Sequence, residues 1–476
     1  MRDNRSQFIS LFLFLLISAL VLSNGFVARI FAQGQDVDIY QQIRPMAEVL
    51  DEVLRSYVYE PEPDKVVEGA IKGMMNALDE HSSYIPQKAL EQMTEDTEGE
   101  FEGIGVSIHL NKDGNIAIFQ PIMGSPAAKA GLHAGDIIVK INDVLTKGMA
   151  LDEARDLIRG PSGTRVRLTI YRELDSPGQP AQEFEVEVER GKIPLESIAE
   201  ARLLSGGIGY IRVIDFKKTT AEELAKKIET LKGEGMKSLV LDLRWNVGGL
   251  FNSAREVVEL FLPKGSLVTY TKGRNNVDGS LTESIRLTTQ RHPIVPETFP
   301  LILLVNEYTA SSAEIVTGAL EYWARAIVVG AKTYGKGSVQ TIIPLRSPEG
   351  SAIRLTTALY YTPADVTIDK QGILPDVEVP MSKEDSMRLI EQMIKSIEND
   401  PSKRNEQNHG SVTGNAVTPD TVEDVQLLRA VEILREDSVF SNLIAKYHKD
   451  TSETQREAPA NAEKVASAKP EPVSVE

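Results

Sequence analysis

The chain has 476 residues, 41% of them hydrophobic and 25% charged, with 52 basic against 69 acidic side chains for a net charge of −17. That length and balance suit a globular protein of two or three domains, and the acidic excess argues against nucleic acid, whose binding draws on phosphate neutralisation. The lack of cysteine excludes disulfides, thiolate metal sites, a thiol nucleophile and a lipid-modified N-terminal cysteine.

Arg2 and Arg5 precede an apolar run from Phe8 to Leu22, the order of an export signal. The 21 residues from Phe8 to Ala28 carry no charge, close to the ~20 that span a bilayer. Ser23, Asn24 and Gly25 interrupt them, and a cut after Ala32 would have Ile30 as a poor −3 residue. Residues 1–34 are therefore expected to be a signal peptide or an N-terminal membrane anchor. The remainder is expected to work outside the cytoplasm, in the periplasm or cell envelope.

Residues 36–98 are expected to be a helical region: apolar residues recur at helical spacing from Ile43 to Leu54 and from Val67 to Leu78, with a break at Pro61–Pro63. Residues 99–190 change to short alternating strands (GIGVSIHL, NIAIFQPI, DIIVKIN, RVRLTIYR, EFEVEVER) with one helical window, Leu151 to Arg159. Across residues 191–380 strands alternate with helices: IGYIRV, Ala221–Lys232, SLVLDLR, Ser253–Phe261, LILLV, Ala313–Trp323, AIVVG. Such alternation predicts crossover connections and a largely buried sheet. Residues 381–448 read as a C-terminal helical region, with helices at Lys383–Glu398 and from Val422 and a polar linker between them. The Glu-, Ala-, Ser- and Pro-rich end, 449–476, reads as a disordered tail.

In an α/β layer, ligands sit beyond the carboxyl ends of strands, and three segments fall there. SLVLDLRWNVGGL runs from a strand into Gly248 and Gly249, where the backbone can approach a ligand closely and free N–H groups can face negative charge. LILLVNEYTASS places Ser311 and Ser312 at a helix start, where a serine is ordinarily only a cap. TYGKGSVQ places Lys336 between glycines after the strand AIVVG. Together they suggest a serine nucleophile with a lysine base, because a lysine kept neutral by desolvation can take the serine proton. Two preorganised amides would serve the oxyanion. The six histidines lie outside these segments, which disfavours a Ser-His-Asp triad.

DLRxNxGG, then TAS followed by AEI, then YGKGxVQ, in that order, resemble the C-terminal processing (tail-specific) peptidases, a serine/lysine family. The resemblance implies a crotonase/Clp-like α/β protease core, with Ser311 as nucleophile, Lys336 as general base and Gln340 orienting the lysine. It places the oxyanion hole on the amides of the Gly248/Gly249 turn and of Ser312. Ser312 stands where the family usually has alanine, and Trp245 and Val247 depart from the commoner glycine-turn residues. Residues 99–190 resemble a PDZ domain, with Gly103, Ile104, Gly105 and Val106 as the carboxylate loop and SPAAKAGLHAGDIIVKIN as its second half. Such domains add a peptide as a strand and hold its terminal carboxylate.

The expected protein is thus an exported serine endopeptidase of the α/β class, with an inserted PDZ domain and N- and C-terminal helical regions. Its partners are proteins with accessible C-terminal tails, an adaptor, a second copy of the chain in a homodimer and, through the N-terminal segment, the membrane. No metal or cofactor is implied. Arg159, in LIRGPSGT, either gates the site or is a solvated surface residue. The rival reading is a catalytically silent scaffold. EHSSYIP also matches the family's N-terminal part, with His81 and Ser82 expected to fix local structure.

Overall fold

The computed structural model describes residues 39–122, 124–173, 181–398, 422–436, 438, 440–442 and 444–445. The expected signal or anchor, the polar linker and the tail lie outside the described residues. Among the described residues, no helix is long and apolar enough to cross a membrane.

Two helices open the described chain, α1 (Ile39–Ser56) and α2 (Pro63–Asn76). Helix α2 starts at Pro63, where the missing N–H of proline leaves no bond unmade. Helix α1 is amphipathic yet buries none of its residues, leaving Ile39, Ile43 and Val49 exposed. The two stretches of helical apolar spacing both form helices, and a short strand and a third helix follow them. After α2, the Asp79 carboxylate accepts the N–H groups of His81 (2.8 Å) and Ser82 (2.7 Å), closing a turn. That turn feeds strand β1 (Ser83–Ile85) and then helix α3 (Gln87–Glu98).

The β-rich module starts with β2 (Glu100–Gly103), which pairs antiparallel with β9 (Gly191–Pro194) and so brings the two ends of the module together. Between them run β3 (Val106–Leu110), β4 (Ile116–Pro121), the one-turn helix α4 (Pro126–Lys129), β5 (Ile137–Ile141), β6 (Val144–Leu145), helix α5 (Leu151–Ile158), β7 (Arg165–Arg172) and β8 (Gln182–Glu189). The strands pair in the order β3-β4-β5-β7-β8, with β6 on β5. Alternate residues of β7, Val166, Leu168 and Ile170, are fully buried against Ile116, Ile118 and Ile138, the signature of a sheet with one face on a core. Each such side chain contributes about 1.5–3 kcal/mol of transfer free energy.

The core sheet has the order β10-β11-β12-β15-β16-β19, built from β10 (Ile198–Leu204), β11 (Ile208–Val213), β12 (Ser238–Asp242), β15 (Leu301–Val305), β16 (Ile327–Gly330) and β19 (Val377–Glu378). Only β10 is antiparallel to its neighbour. Successive residues point to opposite faces. Leu239 and Leu241 meet the helices α6 (Thr220–Gly233), α7 (Phe251–Glu259) and α8 (Ser312–Tyr322), whereas Val240 meets α10 (Val425–Arg435). Both faces are covered, so the parallel strands are apolar throughout. The C-terminal helix starts at Val425, three residues later than its apolar pattern predicts, because Asp424 caps it by accepting the Leu427 N–H at 3.0 Å. Helix α9 (Lys383–Glu398) precedes it.

The alternation of strands and helices gave no hint of a second sheet. It contains β13 (Leu267–Arg274), β14 (Leu281–Thr288), β17 (Ser338–Pro344) and β18 (Ala352–Tyr361), with β1 at its edge. Strand β14 is exposed along most of its length and so carries little inward–outward contrast. In this sheet the segment before the β-rich module meets the chain that follows α8, with Ser83 paired to Arg354.

Candidate active site

Strands β12, β15 and β16 are neighbours in the parallel sheet, so the loops leaving their carboxyl ends stand side by side. The expected glycine turn, serine and lysine are on these three loops. The loops are tied to one another by short bonds. Thr309 Oγ1 donates to the Leu243 carbonyl (2.9 Å), the Ala310 N–H to that of Asn246 (2.9 Å), and the Tyr334 N–H to that of Thr309 (3.0 Å).

Ser311 sits at the head of α8 with φ 56° and ψ −120°, a conformation that costs a non-glycine residue about 1–3 kcal/mol. Such strain persists only where surrounding bonds over-determine it. Here those bonds come from Glu314, fully buried three residues on. Its Oε2 accepts the N–H groups of both Ser311 and Lys336, each at 2.9 Å. Its Oε1 accepts from the Gly335 N–H (2.7 Å) and Thr333 Oγ1 (2.5 Å). One carboxylate therefore binds the backbone of the serine to that of the lysine. Burial pushes the Glu314 pKa up, opposed by these four donors. Sequence reasoning missed the role: a glutamate three residues into a helix looks like half of a capping box.

Ser311, Lys336 and Gln340 line one cavity of about 610 Å³, together with Gly249 and Ser312. Among the described residues no histidine lines it. Lys336 is half-buried, and its pKa is lowered first by that burial and then by the Arg354 guanidinium, against the opposing charge of Glu314. Among the described residues no hydrogen bond joins Ser311 Oγ to Lys336 Nζ, or Gln340 to Lys336. Gln340 Nε2 instead donates to Ser338 Oγ (2.9 Å) and Thr356 Oγ1 (3.4 Å).

The expected oxyanion residues divide. Gly248, at φ 99°, packs against the serine: a Cβ there would lie 2.7 Å from that of Ser311 and 2.9 Å from the Ser312 nitrogen. Its N–H, however, donates to Asn246 Oδ1 at 2.9 Å, so it is not a free donor, contrary to the expectation for the turn. The Gly249 and Ser312 N–H groups have no acceptor among the described residues. The Ser312 hydroxyl donates to the Gly249 carbonyl at 2.9 Å, which commits it to the turn.

Behind that turn Arg244 is wholly buried between Asp242 and Asp424. Its Nη1 and Nη2 reach the two Asp424 oxygens at 2.7 and 2.8 Å, its Nε meets Asp242 Oδ1 at 3.0 Å, and Gln426 Oε1 is 3.1 Å away. Burial opposes both charges of the inner pair, yet the mutual attraction of Asp242 and Arg244 holds the carboxyl below its ordinary pKa and the guanidinium above its own. Trp245, at φ 58°, lies beside the Arg244 and Arg212 guanidinium groups.

Gly103, Ile104, Gly105 and Val106 line a second cavity, of about 420 Å³, between β3 and α5, which Arg159 also lines. Strand β3 is the edge of its sheet, open for an added strand. Arg159 leaves the end of α5, donates to Glu95 Oε2 on α3 at 2.5 Å and lies over the Phe101 ring at 4.9 Å. It is thus not a freely solvated residue.

Residues 207–379 match the peptidase family S41 and residues 120–172 match a PDZ domain. A carboxy-terminal-processing protease of Bartonella bacilliformis is 36% identical over 416 residues, 86% of this chain and 92% of that protein. The carboxy-terminal processing protease CtpA of Bacillus subtilis is 37% identical over 332 residues, 70% of this chain and 67% of that protein. Among solved structures, the photosystem II D1 C-terminal processing protease is 28% identical, covering 70% of this chain and 88% of its own, with a TM-score of 0.39. The Bartonella protein is matched at 36% identity over most of both chains, and the chain belongs to the C-terminal processing peptidases of family S41, serine-type proteases that carry a PDZ domain.

Proposed function

We propose that this protein is a Ser–Lys endopeptidase that works outside the cytoplasm on proteins whose C-terminal tails its PDZ groove has captured. One juxtaposition carries the reading. Ser311, strained at the head of α8, shares a cavity with half-buried Lys336 and with the acceptor-less amides of Gly249 and Ser312. Lys336, neutral at Nζ, takes the Ser311 Oγ proton as Oγ attacks the scissile carbonyl, and the two amides donate to the oxyanion. Collapse breaks the C–N bond while the Lys336 ammonium returns its proton to the leaving amine. Water, deprotonated by Lys336, then frees Ser311 from the acyl-enzyme. Gln340 orients the lysine through Oε1, since both N–H groups of its amide are directed to Ser338 and Thr356. Phe251, Ile315, Val339 and Ile342 in the cavity wall suit an apolar substrate side chain.

The PDZ groove also gates the cavity in this reading. Helix α3 carries Glu95, the partner of Arg159, and on the same helix Gln92, Met93 and Asp96 line the catalytic cavity. A peptide entering beside Arg159 would disturb that contact and shift a wall of the active site, coupling capture to cutting. The exposed apolar residues of α1 suit a protein partner, a second copy or an adaptor, and residues 1–34 carry the export signal or anchor.

A serine-directed phosphonate tests the chemistry. It should label Ser311 in the folded protein, and cells carrying Ser311→Ala should retain C-terminal extensions on exported proteins. Labelling of Ser312 would move the nucleophile by one residue. No labelling would remove the mechanism.

A further inference from the structure

Strand β18 is paired with β17 along one edge, but its other edge is shared: β1 pairs with Ala352–Arg354 and β13 with Ala358–Tyr361. Thr356 falls in the gap between them. Its N–H is accepted by Ser82 Oγ at 3.1 Å, and that hydroxyl in turn donates to Asp79 Oδ2 at 3.0 Å. Thr356 Oγ1 lies 3.3 Å from Asp79 Oδ1. Directly across the ladder from Thr356, next to a bulge at Val339/Gln340, stands Gln340, where a bulge can re-aim a side chain.

We infer that the Asp79–Ser82 turn is a positioning device for the lysine base, acting through Thr356 to fix which way round the Gln340 amide lies. An ionised carboxylate only accepts hydrogen bonds, so the Thr356 hydroxyl spends its proton on Asp79. Its lone pair then faces Gln340 and selects Nε2 rather than Oε1. Ser338 Oγ takes the other N–H. The amide oxygen is what remains for Lys336 Nζ, whereas a reversed amide would set donor against donor. Burial works against the Asp79 charge, but the donors from His81, Ser82 and Thr356 outweigh it and keep the pKa below the ordinary value. The inference rests on the reading of Lys336 as base and Gln340 as its orienting group.

The test is a double-mutant cycle on the full chain, read as kcat and KM on a tailed substrate. Thr356→Val, which keeps the shape and loses the hydroxyl, should lower kcat about tenfold with KM unchanged, and Thr356→Ser should restore it. In a Gln340→Ala background Thr356→Val should cost less than about twofold, because the group it acts through is gone. Asp79→Asn is run through the same cycle and decides the matter should Thr356→Val not fold. Equal losses with and without Gln340 would overturn the inference and leave the dyad standing. Full activity in Gln340→Ala would overturn both.

Discussion

Around the candidate catalytic cavity, three loops are laced by bonds of 2.5–3.0 Å that converge on Glu314 and Thr309. The PDZ groove is instead an open edge strand facing one short helix, with Arg159 and Glu95 about a third exposed at its end. On the function proposed above, the difference matches the two tasks. Amides that stabilise an oxyanion help most when they are already in place, which calls for a lattice without slack. A groove that admits a tail and reports its arrival needs a contact weak enough to break, and a partly exposed ion pair is worth only about 0–1 kcal/mol.

The largest effect should come from the lattice's reacting groups. Ser311→Ala and Lys336→Ala should each lower kcat by at least ~10³-fold, and the double variant little further, since the pair acts as one unit. Circular dichroism should find all three folded. Unequal, multiplying losses would mean that the two residues do not share a step.

Next comes the anchor behind the glycine turn. Asp424→Ala strips one partner from the wholly buried Arg244 and should destabilise the core by about 3–5 kcal/mol, measured by denaturant unfolding. An unchanged midpoint would show that the rigidity of this region does not depend on the C-terminal helix.

The pH profile separates the cavities further. The Lys336 pKa is depressed by burial and by Arg354, so the neutral amine gains population as pH rises through that lowered value. Below it kcat/KM should rise about tenfold per pH unit and level off above. Tail affinity for the PDZ groove, measured separately, should not follow. A profile that falls toward alkaline pH would contradict a neutral lysine base.

The smallest effects belong to the groove. Gly105 has φ 75°, and a Cβ there would come within 2.5 Å of Ser125 Cβ, so Gly105→Glu should raise KM for tailed substrates about tenfold with little change for an untailed peptide. Arg159→Ala should move kcat several-fold through α3. If Arg159→Ala changed only KM, the groove would tether substrate without gating.

The sequence alone determined the local parts. The alternation of apolar strands with helices predicted the buried parallel sheet, and the candidate serine and lysine each stand in the loop that follows such a strand. The order of DLRWNVGG, TASS and YGKGSVQ marked the candidate serine and lysine, and the alternation from residue 99 to 190 marked the PDZ module, because both patterns depend on neighbours within a few positions. Tertiary structure decided whatever joins distant residues. Strand β14 is solvent-exposed, and β1 pairs with β18 across some 270 residues, so neither leaves a local period to read. Asp424 meets Arg244 over a separation of 180. Glu314 joins serine to lysine because folding sets two loop ends side by side, and no property of an isolated glutamate says which buried donor it will meet.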